Sequence, residues 1–226
     1  MNRRKIISLT ITLLSMSLFL QQTASAHEPI FGLGPHTLYQ FGYAFGFEFE
    51  KGERGWAHHL ELIYGLTPDW AATIVAPYQF GENGQAAGFG DMTLRTKYRF
   101  YRKDMRGASS QAALHAGIKF PTGDTGKRLG SGATDFFVGA SFGFESRRHY
   151  IFTGSRYHRN GTYSGLDRGD VARFNLAYGI RPWKLEYLQP DPVFILEING
   201  RIAGKNRLDD RAVEKSGGSV LSFGPG

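Results

Sequence analysis

Residues 38–50 read L-Y-Q-F-G-Y-A-F-G-F-E-F-E, and this stretch decides the fold. Tyr39, Phe41, Tyr43, Phe45, Phe47 and Phe49 fall on one parity, and Gln40, Gly42, Ala44, Gly46, Glu48 and Glu50 on the other. Successive side chains of an extended chain point to opposite faces, so six aromatics share one face and small or polar groups the other. The second face is too polar and glycine-rich to pack in a core. Aromatics toward lipid and small or polar groups toward a lumen is the pattern of a transmembrane β-strand.

The alternation recurs along the chain. Trp56, His58, Leu60, Leu62 and Tyr64 share a parity, and after the turn signal Pro68-Asp69 so do Trp70, Ala72, Ile74, Ala76, Tyr78 and Phe80. Met92, Leu94, Thr96, Tyr98 and Phe100 alternate with Thr93, Arg95, Lys97, Arg99 and Tyr101. Ala112, Leu114, Ala116, Ile118 and Phe120 oppose Gln111, His115, Gly117 and Lys119. Phe136, Val138, Ala140, Phe142 and Phe144 oppose Asp135, Gly139, Ser141, Gly143 and Glu145, with Phe137 breaking the rule. Residues 150–157 read as a strand of open parity, because Ile151 and Phe152 are both apolar. Phe174, Leu176, Tyr178 and Ile180 oppose Arg173, Asn175, Gly179 and Arg181. Phe194, Leu196, Ile198 and Ile202 oppose Glu197, Asn199 and Arg201, and a tenth run begins at Ser219.

The connections add a second pattern. Residues 81–91, 122–134, 160–170 and 203–218 are long and glycine-rich, whereas 66–69 and 146–149 are short, the asymmetry of an outer-membrane barrel with long outer loops and short periplasmic turns. Residues 51–55, short, and 102–110, long, run against it. The expected architecture is all-β: an antiparallel up-and-down transmembrane β-barrel with about 10 strands visible and about 12 in the complete protein.

The N-terminus supplies a route to such a membrane. Asn2-Arg3-Arg4-Lys5 is a positive leader, residues 6–20 are apolar, and Ala24-Ser25-Ala26 is a cleavage signal, so 1–26 reads as a signal peptide and 27–226 as the barrel domain. The apolar run is shorter than the ~20 residues of a spanning helix. Losing Arg3, Arg4 and Lys5 lowers the formal charge of the 226-residue chain from +7 to +4, and with no clustered basic stripe, nucleic acid is not an expected partner. Zero cysteines exclude a disulfide framework, and 30 glycines fit close backbone approaches in an all-β chain. The end, Phe223-Gly224-Pro225-Gly226, lacks the closing strand with a terminal aromatic, so a C-terminal truncation is expected. A soluble lipocalin-like barrel would also alternate, but with Gly42, Ala44, Gly46, Gly117, Gly139 and Gly143 on its water face, where charged groups are usual.

Several strings resemble a known family. Pro77-Tyr78, Gly88-Phe89-Gly90-Asp91, Lys97-Tyr98-Arg99-Phe100, Gly117-Ile118-Lys119-Phe120-Pro121-Thr122-Gly123-Asp124 and Gly130-Ser131-Gly132-Ala133-Thr134-Asp135-Phe136 are similar to the outer-membrane proteins of the MetA-pathway of phenol degradation family. The resemblance covers most of the chain beyond the leader and rests on loop and strand-start signatures. It implies an outer-membrane barrel that moves small, often hydrophobic or aromatic, organic compounds. The partners expected are the outer-membrane bilayer, small-molecule solutes and, during insertion, the barrel-assembly machinery.

Catalytic and metal signatures fail. Residues 123–128 look like a P-loop, but Pro121 stands at the first glycine and Arg128 at the Ser/Thr that would hold magnesium. Asn160-Gly161-Thr162 matches a glycosylation sequon and marks a turn, and Gly90-Asp91, Thr134-Asp135 and Gly169-Asp170 read as turn chemistry. His27 and His36 are the candidates for a metal; no spacing matches a zinc site and His58 and His59 face opposite sides, so no metal or cofactor is expected. A lipase-type enzyme would need a nucleophile, base and orienting group together. Ser141 and His115 are on neighbouring strands, but no serine sits in a nucleophile elbow, so the chain is not expected to be an enzyme. Function is therefore sought in the lumen, where Arg95, Lys97, Arg99, His115, Lys119, Arg173, Arg181, Glu197 and Arg201 are the candidate lining residues, facing Glu48, Glu50, Glu61, Asp135 and Glu145. Charges at bilayer depth must be paired or wet, so this set makes either a plug of ion pairs or a water-lined channel.

Overall fold

The computed structural model describes residues 34–225 apart from 53–54, 82–83, 85 and 184–191. The expected leader and His27 lie outside the described residues. Ten long strands make one antiparallel sheet: β1 (Tyr43–Gly52), β2 (Gly55–Thr67), β3 (Trp70–Gln79), β4 (Thr93–Met105), β5 (Ala108–Lys119), β6 (Asp135–Ser146), β7 (His149–Arg159), β8 (Val171–Ile180), β9 (Phe194–Ala203) and β10 (Gly218–Pro225). Each pairs with its neighbour in sequence, so the sheet is up-and-down throughout, and among the described residues β1 and β10 pair on one side only. The ten runs of alternating residues are the ten strands.

The two faces differ as the alternation requires. On β1 the aromatics Tyr43, Phe45, Phe47 and Phe49 are 63–68% exposed, and Trp70, Tyr98, Leu114, Phe136 and Leu196 continue the exposed apolar face along the sheet. The opposite face buries Ala57, Ala71, Ala113, Phe137, Phe152 and Ala177. This inner face also receives the chain before β1. Pro35 is fully buried, and a Cβ on Gly143 of β6 would stand 2.9 Å from its ring. His36 meets four successive strands: Lys97 of β4 donates to its carbonyl at 2.8 Å, Gln111 of β5 donates to Nδ1 at 3.3 Å, Nε2 donates to Glu145 of β6 at 3.1 Å, and its ring lies edge-on to Phe152 of β7.

That inward segment shortens the first strand from the expected start at Leu38. Phe41 donates to the Gly65 carbonyl, Gly65 to the Gly42 carbonyl and Gly42 to the Tyr39 carbonyl, a turn that holds Phe41 at φ 61. A Cβ on Gly65 would overlap the Tyr39 carbonyl, so glycine is required there. Tyr39 and Phe41 stay exposed but precede the ladder.

One further expectation is corrected, and two irregularities of the alternation find their cause. Residues 102–110 are not a long loop: β4 and β5 extend to a two-residue turn, Arg106-Gly107, with Gly107 at φ 73. Long and short connections therefore alternate here too. Residues 53–54, the β1–β2 turn, lie outside the described residues. Phe137 breaks the pattern because it is an inner-face residue. Its ring lies 5.2 Å from His158 and occupies the space a Cβ on Gly117 would need. β7 has its even residues inside, with Tyr150 and Phe152 joining Ala177 in an apolar cluster.

The long connections are themselves ordered. Thr162–Tyr163 and Leu166–Asp167, between β7 and β8, join Arg207–Leu208 and Arg211–Ala212, between β9 and β10, in a small four-stranded sheet.

Candidate functional site: the polar inner face

On β4 the inner residues Arg95, Lys97 and Arg99 all end on oxygens of the chain. Arg95 Nη2 donates to Glu61 on β2 at 2.6 Å. Lys97 is held by the His36 carbonyl. Arg99, buried, donates to Asp69 at 2.8 Å, to Gln111 at 2.9 Å and to the Pro68 carbonyl at 2.9 Å, tying its strand to the β2–β3 turn. These are charge-assisted bonds on one face of the sheet, of the kind that fix geometry.

At the long-loop end Lys119 pairs with Asp135 and lies 3.5 Å from Asp91, and its Nζ donates to Ser131 at 2.7 Å. Asp91 accepts from Gly123 N–H at 3.0 Å, Ser131 N–H at 2.7 Å and the Ser131 hydroxyl at 2.8 Å, so one carboxylate pins both ends of residues 123–131. Burial by itself would raise the Asp91 pKa. The Ser131 and Gly123 amides, the Ser131 hydroxyl and the Lys119 charge outweigh it and hold the carboxyl below its usual range. The P-loop-like string is thus a folded loop with its amides turned to a carboxylate of the same chain.

His115 is buried and shares a 2.7 Å hydrogen bond with Ser141. The pair has the distance of a nucleophile and base. In register, however, His115 sits between Lys97 on β4 and Gly139 on β6, which is followed by Arg156 on β7. Its row carries the cations Lys97 and Arg156, and among the described residues no carboxylate is hydrogen-bonded to the ring, the orienting group of a Ser-His-Asp arrangement.

The remaining candidates separate. Arg181 places its guanidinium 4.8 Å from the centre of the Tyr150 ring, and Glu197 is 2% exposed on β9. Arg173 on β8 and Arg201 on β9 are directly opposite each other, and Arg173 is also opposite Arg156 on β7. These three arginines line one cavity of about 420 Å³, floored by Gly139 and Gly154 and flanked by Asn175, Asn199 and Ser222. Arg156 is the cavity residue that the alternation leaves unassigned, because the parity of β7 is open in sequence; Gly154, Arg156 and His158 at two-residue spacing carry the signal that the even face is polar. Its guanidinium stands 5.5 Å over the Phe137 ring, which fixes its direction. Of the two metal candidates, His36 has both ring nitrogens engaged by Glu145 and Gln111, and His27 lies outside the described residues.

An antiparallel all-β sheet with an apolar exposed face, a polar inner face and a cationic cavity is the class that fold and site define. The chain belongs to the family described as "Putative MetA-pathway of phenol degradation", whose profile matches residues 60–189, more than half of the chain. That membership fits a role in the handling of aromatic compounds. Arg156 and Arg173 fall inside the matched region and Arg201 beyond it. No curated protein matches the chain.

Proposed function

We propose that the sheet closes into a β-barrel of the outer membrane and serves as a channel or transporter for small hydrophobic or aromatic organic compounds, without enzymatic activity. The observation that carries this reading is the pairing of an exposed aromatic band with a charged, cavity-bearing opposite face, which only two different solvents on the two sides make favourable. Family membership supports the substrate class. Export by the leader would deliver the chain to the bilayer, with the barrel-assembly machinery as its partner there.

The test has two parts. The protein expressed with its leader should fractionate with outer membranes, and the purified protein in liposomes should accelerate uptake of a small phenol over protein-free liposomes. Uptake equal to that of empty liposomes would remove the transport reading. Phe45→Arg should cost about 2–4 kcal/mol of folding into liposomes if the residue meets the hydrocarbon midplane. A soluble Phe45→Arg protein of unchanged stability would favour the lipocalin-like barrel instead.

A second reading has its own support. Residues 35–38 occupy the inner face at the short-turn end, and residues 123–131 fold against Asp91 at the other. An outer-membrane barrel with both mouths filled in this way would be structural, and a wild-type protein that neither conducts nor takes up solute is its expected behaviour.

A further inference from the structure

We infer that the inner face carries a binding site for a small organic carboxylate, its anionic group held by Arg156, Arg173 and Arg201 and its apolar body resting over Gly139, Gly154 and Val220. This deepens the transport reading and rests on it for physiological meaning, though binding itself can be measured without transport.

The argument starts from register. Reading across the sheet, Arg156 on β7 is opposite Arg173 on β8, which is opposite Arg201 on β9, which is opposite Val220 on β10. Directly opposed residues have Cβ atoms about 5 Å apart, so three guanidinium groups are forced into one neighbourhood, and like charges so placed destabilise a sheet. Among the described residues no ion pair forms to Arg156 or Arg201. Glu197, the nearest carboxylate along β9, is four residues from Arg201, about 13 Å down the strand. The row itself, Arg156, Arg173, Arg201 and Val220, contains no carboxylate.

The next row on the same face is neutral and short: Gly154, Asn175, Asn199 and Ser222 are mutually opposite. A Cβ on Gly154 would stand 2.9 Å from Asn175 Oδ1, so glycine there keeps the floor low. Asn175 Nδ2 is buried with no hydrogen-bond partner among the described residues, a donor whose desolvation is uncompensated until an acceptor arrives. Arginine forks beside an amide donor match the planar, two-oxygen geometry of a carboxylate. The cavity, about 420 Å³, lies in the lower part of the range for small-molecule sites, and its glycine and valine surfaces offer nothing to a second charged group. A one-ring carboxylic acid fits this description better than a polyanion.

The experiment uses the full chain purified in detergent, with benzoate, benzyl alcohol and inorganic phosphate as calorimetric probes, and the same protein in liposomes for phenol uptake. Benzoate should bind, benzyl alcohol should bind at least about ten-fold more weakly, and phosphate at equal concentration should not displace benzoate. Arg201→Gln and Arg156→Gln should each weaken benzoate about ten-fold or more, Arg201→Lys by less, and Arg102→Gln, an exposed residue paired with Asp104, should leave binding unchanged. Equal affinity for benzoate and benzyl alcohol, full displacement by phosphate, or equal losses from Arg102→Gln and Arg201→Gln would each overturn the proposal. Phenol uptake without benzoate binding would refute the site and leave the channel standing. Benzoate binding without any uptake would refute the channel and leave the site.

Discussion

Along β4, Arg95, Lys97 and Arg99 each terminate on an oxygen of the chain, in Glu61, His36 and the 68–69 turn respectively. Across β7, β8 and β9, Arg156, Arg173 and Arg201 stand side by side around a cavity. The two walls hold equal numbers of cations, and direction separates their uses. Cations spaced by two residues along one strand are more than 6 Å apart at the backbone and lean on different partners. Cations aligned across strands share one space and face it together. A ladder along a strand therefore knits a wall, whereas a row across strands builds a surface that recognises something.

The largest expected effect breaks the knitted wall. Arg99→Ala removes the group that satisfies Asp69, Gln111 and the Pro68 carbonyl from a buried position, and should lower stability by about 2–4 kcal/mol, read as a shift of the unfolding midpoint in detergent. A loss as small as that of a surface substitution would mean the β4 cations are not structural.

Glycines sharpen the contrast. A methyl on Gly117 would collide with the Phe137 ring, which His158 and Arg156 hold in place, so Gly117→Ala should cost about 1–3 kcal/mol. Gly154→Ala meets only the end of the Asn175 amide, which can turn aside. It should change stability little and weaken benzoate binding by filling the cavity floor.

Acid should loosen the knitted wall first, at its upper end. The Asp91 carboxyl is held below the usual carboxylate range, so its anchoring of residues 123–131 is complete above that range. The anchoring is lost as pH falls through the depressed folded value. Amide exchange at Gly123 and Ser131 should quicken over that acid window in the wild type, and Asp91→Asn should exchange fast at every pH. The smallest effect expected is that of Arg201→Ala, an exposed residue of the open wall, within about 0.5 kcal/mol of wild type in unfolding.

Much of this was legible in the sequence, and the losses have one cause. Alternation located ten strands and placed Arg95, Lys97, Arg99, His115 and Lys119 on a common inner face, and the loop and strand-start strings resembled the family that the profile match bears out. It failed at Phe137, at 150–157 and at 38–42 because it treats the inner face as uniformly polar. The inner face is partly a packed interior, with Tyr150 and Phe152 in an apolar cluster and Pro35 buried against β6. Where an apolar residue fills that interior, period two is still present but hydropathy no longer reveals it. Arg156 was missed for this reason, and so was the row it belongs to. Rows across strands exist only once register is set, and register is not written in the spacing of any single strand.

The segment that fills the inner face also orders events in time. Every pairing in the large sheet joins strands adjacent in the chain, so each can close as a hairpin or the next addition to one. His36 is the exception, meeting Glu145 109 positions later. A chain arriving N-terminus first carries His36 past every early step without its seat, because Lys97, Gln111, Glu145 and Phe152 are together only after β4 to β7 have assembled. The first part to arrive can dock only once β7 is in place, and its docking reports that the wall behind it has been built.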